Sequence, residues 1–281
     1  MYLTPAIPLF ALSILVAAQP TLRERNPEPE LDIAGAIALD KGIFEAIGWR
    51  WTHSQAPGFE PTCDLSQAKM PASELLHHAC LHSYVRRLTF NPATRPLPAP
   101  NGTLAHVAIG RGTQNYTCDL TNSTAVPVPV GALARLYNAS CIAALWPDYL
   151  SLIPLIALEL SLPTDASAPL TGQNIYLSGN HFFTNATCPV FNLDTANNQY
   201  GRAAVKKVVA VPAPPRAPAG QYNQGFGSVA WLYLTANTAL GPQSFQEVYR
   251  VNTAGGQPPG TCAGQSAAFE VQYAAEYWFY A

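Results

Sequence analysis

The chain has 281 residues, 48% of them apolar and only 11% charged, with a net charge of −2 at pH 7. That composition supports a core easily, in one large domain or two small ones. It holds no basic field, which excludes nucleic acid and anionic lipid surfaces as partners.

The chain opens on MYLTPAIPLFALSILVAAQP, with no charged side chain, an apolar run from Ile7 to Ala18 and small residues at Ala17 and Ala18. The run is too short for a bilayer span and suits a signal-peptide core, so residues 1–18 are expected to be a signal peptide cleaved after Val-Ala-Ala. No membrane span is expected after cleavage, and the protein is expected to be secreted. Two independent features agree. Asn-x-Ser/Thr sequons stand at Asn101, Asn115, Asn122, Asn138 and Asn185, and glycans there would supply the hydration that sparse charges do not. The six cysteines, Cys63, Cys80, Cys118, Cys141, Cys188 and Cys262, form no CxxC pair. In an oxidising compartment that reads as disulfides, with 15 pairings open, and not as zinc or redox chemistry.

Residues 19–60 begin with the charged, proline-containing TLRERNPEPE, a linker. LDIAGAIALDKGIFEAIGWRW follows with Ile33, Ile37, Leu39, Ile43, Phe44 and Ile47 at near-helical spacing, which predicts an amphipathic helix. SELLHHACLHSYVRR (73–87) also reads as a helix. It places His78 and His82 at a metal-capable i, i+4 spacing, but with Glu74 as the nearby acid the simpler reading is a solvated face, and no metal is expected.

From Pro96 the texture changes to strands and turns. In LAHVAIGRGTQNYTC, alternation puts Tyr116 and Cys118 on one face and Asn115 and Thr117 on the other, which suits a disulfide inside and a glycan outside. VGALARLYNASCIAALWPDYLSLIPLIALEL (130–160) reads as a buried helical excursion broken by Pro147 and Pro154. NIYLSGNHFF, AAVKKVVAV, GSVAWLYLTA, FQEVYRVNT and AFEVQYAAEYWFY follow as strands between Gly, Pro and Asn punctuation. Strands at short spacing without intervening helices predict a mainly β domain over 61–281, an antiparallel sandwich or barrel. In the closing strand, Val271, Tyr273, Ala275, Tyr277 and Phe279 share one face, apolar enough to be core. Gln272, Ala274, Glu276, Trp278 and Tyr280 share the other, and Glu276, Trp278 and Tyr280 are the ligand-binding candidates there.

GRGTQNYTC (110–118), LYNASC (136–141), SGNHFF (178–183), SVAWLYL (228–234), EVYRVNTAGGQPPGTC (247–262) and VQYAAEYWFY (271–280) occur in one order. Together they resemble a family of secreted fungal and bacterial proteins called domain of unknown function thirty-four fifty-five, over roughly residues 61–281. The resemblance implies no established activity, although fungal members are often labelled malate dehydrogenase. Cys63, Cys118, Cys141 and Cys262 fall at positions resembling the fungal pattern and Cys188 does not, so a Cys80–Cys188 bridge is the guess for the other two. Residues 19–60 and 72–95 have no counterpart in the family; the second stretch reads as an insertion or a gene-prediction error.

The dehydrogenase label fails on physics. A nicotinamide site of the usual type needs its glycines between a strand and a helix N-terminus. Gly110 and Gly112 lead into YTC, Gly225 and Gly227 open onto the strand WLYL, and both pairs read as turns. No cofactor is expected. For hydrolysis there is neither GxSxG nor HExxH. His181, Glu247 and Arg250 are the catalytic candidates: a histidine after a Gly-Asn turn, a carboxylate on the apolar face shared by Phe245, Tyr249 and Val251, and a cation on the opposite face of that strand. Glu247 with Glu276 would be the pair for a two-carboxylate glycosidase. Gly255 and Gly256 serve a turn with positive φ. The leading expectation is a non-catalytic extracellular or cell-wall-associated protein that binds a carbohydrate or wall polymer through exposed aromatics. The alternatives are an extracellular hydrolase centred on His181 and a structural or stress-related wall protein.

Overall fold

A computed structural model describes residues 63–71, 97–162, 170 and 175–281. The expected signal peptide, the two N-terminal helices, the insertion at 72–95 and Cys80 fall outside those residues. Among the described residues the strands are eight: β1 (Leu104–Thr117), β2 (Val128–Asn138), β3 (Leu177–Asn185), β4 (Cys188–Asp194), β5 (Gln199–Val211), β6 (Trp231–Ala236), β7 (Glu247–Gly255) and β8 (Ala268–Tyr280). Each pairs antiparallel with its neighbour in sequence, and β8 pairs with β1, which closes the barrel. Of the two architectures expected, the protein is the barrel.

Alternation along each strand sends one set of side chains inward. From β8 these are Tyr273, Ala275, Tyr277 and Phe279, which pack against Phe191 and Leu193 of β4, Val205 of β5, Leu234 of β6 and Val248 of β7. The expected core face of β8 is therefore the barrel interior. Gly110 and Gly112 are not turns, as their spacing suggested, but lie within β1. The Tyr277 ring lies across Gly110, where a Cβ would fall 2.8 Å from its Cδ2. A side chain at Gly110 would occupy the space the ring needs.

The excursion between β2 and β3 begins later than its periodicity suggested. Residues 130–138 are strand, and the helices are α1 (Ser140–Leu145), α2 (Pro147–Leu150) and α3 (Ile153–Glu159). Ala132, Ala134 and Leu136 face the interior at period two, a pattern masked by the exposed Leu133 between them, which fills the helical spacing as well. The two prolines sit in the first turns of α2 and α3, where a missing N–H costs nothing. The helices form a second layer over the outer face of β1, β7 and β8, burying Ile109, Tyr249, Val251, Ala274 and Trp278. Arg111, on that outer face, fastens the layer. Its guanidinium donates to the carbonyls of Ala157 at 2.8 Å and Leu158 at 3.2 Å, a cation on the C-terminal end of α3.

Cys63 pairs with Cys141 of α1, and Cys118 pairs with Cys262, joining the β1–β2 connection to the β7–β8 connection. Cys188 is buried, packed with Val190, Ala204 and Phe182, and has no disulfide partner among the described residues; Cys80, the partner expected for it, lies outside them.

Candidate functional site

The three catalytic candidates do not meet. His181 points into the barrel, stacked on Phe191 at 4.2 Å between ring centroids, and its Nδ1 hydrogen bonds with the Val190 carbonyl at 2.9 Å. Burial pushes its pKa down to about 4, with the nearby Arg250 charge acting in the same direction, so the ring is neutral. Arg250 also faces inward, its Nε and Nη2 donating to the Ala230 carbonyl at 3.2 and 2.9 Å.

Glu247 lies on the outer side of the wall. Its carboxylate accepts from the Tyr233 hydroxyl at 2.7 Å, from Asn101 through backbone N–H (2.8 Å) and Nδ2 (3.0 Å), and from the Gly102 N–H at 3.3 Å. Burial works to raise its pKa, and these donors together outweigh it and hold the group below the ordinary carboxylate range. Glu247 anchors the chain entering β1. A Glu247–His181 couple would have to act through the barrel wall.

The ligand-binding candidates of β8 are buried as well. Trp278 has no exposed surface and Tyr280 is almost fully covered, both within the layer beneath the helices. They are not an open row, and this corrects the reading of that face as a platform. From Tyr273 onward β8 is buried on both sides, so its outer aromatics serve the second layer. Glu276 is also fully buried. One carboxyl oxygen accepts from Asn252 Nδ2 at 2.7 Å and the other from the Trp278 indole at 2.9 Å, with Ile109 of β1 and Val251 of β7 in register beside it.

Glu247 is paired in register with Tyr280 and Val251 with Glu276, so the two carboxylates stand four residues apart along the sheet, about 13 Å at strand rise. A glycosidase pair needs them roughly 5–9.5 Å apart around an accessible bond.

Burial pushes the Glu276 pKa up to about 7, against the two hydrogen bonds that favour its anion. The folded protein therefore holds a proton there that the unfolded chain, near 4.5, has released. This contribution to stability is fully present below about pH 4.5 and is lost as pH rises through about 7, a fall of about 3 kcal/mol. Denaturant midpoints at pH 4, 5.5 and 7.5 are expected to show the decline in the native chain. In Glu276→Gln the decline over that window is expected to disappear.

A different surface carries exposed aromatics. The β5–β6 connection, 212–230, arches over one mouth of the barrel and, with Ala210, Val211 and Gln257, lines an open groove of about 530 Å³. Pro212, Ala213, Pro214 and Pro215 form one wall and Phe226 stands at the other. Phe226 is 62% exposed and Tyr222, at the tip of the same loop, 69%. The tip is held in a costly shape. Tyr222 and Asn223 both have positive φ, 53° and 56°, a conformation that non-glycine residues adopt only where the surroundings impose it. Glu159, at the end of α3, imposes it: both carboxylate oxygens accept the Tyr222 N–H, at 2.7 and 2.8 Å. Asn223 Oδ1 accepts the Ala219 N–H at 3.3 Å, and the Ser228 hydroxyl donates to the Pro218 carbonyl at 2.7 Å.

Sequence reading passed over this site because Gly, Pro and Asn there announced a connection. The available signal was AGQYNQGFG, two large aromatics with no apolar neighbour to bury them. A second groove of about 460 Å³ lies by β4 and β5. Its Asp194, Gln243 and Ser244 side chains accept the backbone N–H groups of Gly201, Ala204 and Arg202, which commits them to the fold.

A family model described as Protein of unknown function (DUF3455) matches residues 98–281. No curated protein and no solved structure matches the chain.

Proposed function

The chain belongs to this family of unknown function, and from that premise we propose that it is a secreted, non-catalytic protein that binds an extracellular carbohydrate at the groove under the 212–230 loop. The observation that carries the reading is the pair Tyr222 and Phe226, exposed on a loop whose strained tip is clamped by Glu159 beside an open groove. Strain maintained at the surface without any gain in burial points to function. Pyranose rings offer apolar faces that stack on flat aromatic side chains, and the groove lies within the roughly 300–1,000 Å³ common to ligand sites. Fixing the loop in advance lowers the ordering cost of binding.

Secretion is supported by the two disulfides, and no helix of the described residues is long and apolar enough to cross a membrane. Two sequons support glycosylation. Asn122 and Asn185 are exposed, and the Oδ1 of each accepts the hydroxyl of the threonine two residues on, at 2.8 and 2.9 Å. Asn115 and Asn138 are half-buried, while Asn101 is exposed but gives its Nδ2 to Glu247.

The test is sedimentation of the purified protein with insoluble chitin, β-glucan and cellulose. Retention on one polymer is expected, falling at least tenfold in Tyr222→Ala/Phe226→Ala. Trp278→Phe, which changes only the buried layer, is expected to be retained like the native chain. Failure to sediment with any of the three, or retention indifferent to the double substitution, overturns the reading.

A further inference from the structure

The chain holds a single Asn-Gly dipeptide, Asn101–Gly102, and it stands exposed just before β1. Asparagine before glycine loses its amide readily, because glycine leaves the next backbone nitrogen unshielded and free to turn onto the side-chain carbonyl carbon. The fold requires this glycine for a reason of its own. A Cβ at Gly102 would fall on the Ala281 carbonyl oxygen, so a side chain there would displace the C-terminus. Both residues are committed to one carboxylate. Asn101 Nδ2 donates to Glu247 Oε1 at 3.0 Å, while the backbone N–H groups of Asn101 and Gly102 share Oε2, at 2.8 and 3.3 Å. The amide nitrogen and the Gly102 N–H, the two groups that deamidation consumes, are thus two of three donors to Glu247. The clamp also sits where the barrel closes. Leu104 of β1 and Glu247 of β7 are both in register with Tyr280 of β8, and Thr103 and Ala281 exchange backbone hydrogen bonds at 3.0 and 2.9 Å. Asn101 and Gly102 therefore reach across the end of β8 to its other neighbour.

We infer that Asn101 is a deamidation site, held back by Glu247 while the clamp is closed, whose product loosens the closure of β8 onto β1. In the first step the Gly102 nitrogen bonds to Asn101 Cγ, the Cγ–Nδ2 bond breaks, and ammonia leaves with the Gly102 proton. Water then opens the succinimide at either carbonyl, leaving aspartate or isoaspartate. Attack requires the Gly102 N–H to come away from Glu247, so opening of the clamp limits the rate. The product carries an anion where the amide donated. It faces a Glu247 carboxylate that hydrogen bonds from Tyr233 and the Asn101 backbone keep ionised. A donor is lost and two like charges meet, which pushes the segment away from β7. A glycan on Asn101 would occupy the same nitrogen, so glycosylation and deamidation compete for it.

The test uses the full chain carrying Thr103→Ala, which removes the sequon and leaves Asn-Gly intact. On long incubation in mildly alkaline buffer, the peptide containing Asn101 is expected to gain about 1 Da and to accept methylation by an isoaspartyl methyltransferase. Adding Glu247→Gln turns one of the two acceptor atoms into a donor and is expected to speed the reaction roughly five- to tenfold. Should Glu247→Gln not fold, the product is tested directly. Asn101→Asp is expected to have a lower denaturant midpoint than Asn101→Ala, which loses the same donor without adding charge. Backbone hydrogen exchange at Thr103 and Ala281 is expected to quicken in Asn101→Asp alone. No mass gain at Asn101, equal rates with and without Glu247→Gln in folded chains, or Asn101→Asp as stable as Asn101→Ala each overturns the inference. Polymer retention reads the opposite end of the barrel, where β5 ends, so the two readings fail separately.

Discussion

Replacing Cys118 and Cys262 together by serine is expected to cost about 5 kcal/mol of folding stability. The bridge closes a sequence separation of 144 residues, and by chain entropy a loop of that length is among the most restrictive a single disulfide can impose on an unfolded chain. The loss is expected as a fall in the denaturant midpoint together with a rise in m-value, because the uncrosslinked denatured chain exposes more surface. The chain-entropy account also assigns a smaller loss to Cys63 and Cys141, whose separation is 78. That difference arises in the unfolded ensemble and needs no difference in native contacts. Denaturation of the two paired-serine variants side by side checks it. A Cys118/Cys262 variant as stable as the native chain would show that the β1–β8 pairing alone already fixes that end of the barrel.

The second large effect is expected from Gly112→Val. A Cβ at Gly112 falls on the Leu133 carbonyl oxygen and lies 2.6 Å from Ala134 Cα, both backbone atoms of β2. A flexible neighbour could swing aside, but a strand cannot move without giving up its ladder. The substitution therefore separates β1 from β2 and opens the barrel, at about 4 kcal/mol or more, in the range reached only by severe core disruption. Circular dichroism and denaturant titration would read it as an unfolded or greatly weakened chain. Gly260→Ala, where an added Cβ meets nothing within 4 Å, is expected to leave the midpoint unchanged. A folded Gly112→Val chain of native stability would mean that β1 and β2 can part without loss.

These glycines mark where sequence reading stops. The β texture after Pro96, the inward face of β8 and the positive φ of Gly255 and Gly256 were legible, because period-two alternation and Gly-Gly turns act locally. Gly110 and Gly112 read as turns since their reason is the Tyr277 ring and the β2 backbone, 167 and 21 or more positions away in the chain. β2 read as helix because its inward Ala132, Ala134 and Leu136, taken with the outward Leu133, satisfy both periodicities. Trp278 and Tyr280 read as a platform since nothing in β8 announces that α1–α3 and Met70 cover it. Tyr222 and Phe226 were overlooked for the opposite reason. Their exposure depends on Glu159 and on two left-handed residues, and neither leaves a mark on hydrophobic periodicity. Glu247 and Glu276 were rightly singled out as carboxylates in apolar company, but what satisfies them, Asn101 and Tyr233 in one case and Asn252 and Trp278 in the other, emerges only from the pairing of distant strands.

Closure of β8 onto β1 has a consequence for how copies of the protein meet one another. An open sheet ends in a row of unpaired N–H and C=O groups on which another extended chain can grow, the route to strand-added polymers. Here every strand has a partner on both sides. Crowded copies of the barrel therefore offer one another, among the described residues, no open sheet edge for backbone pairing. A thinly charged chain is thereby kept from polymerising through the strands of its barrel.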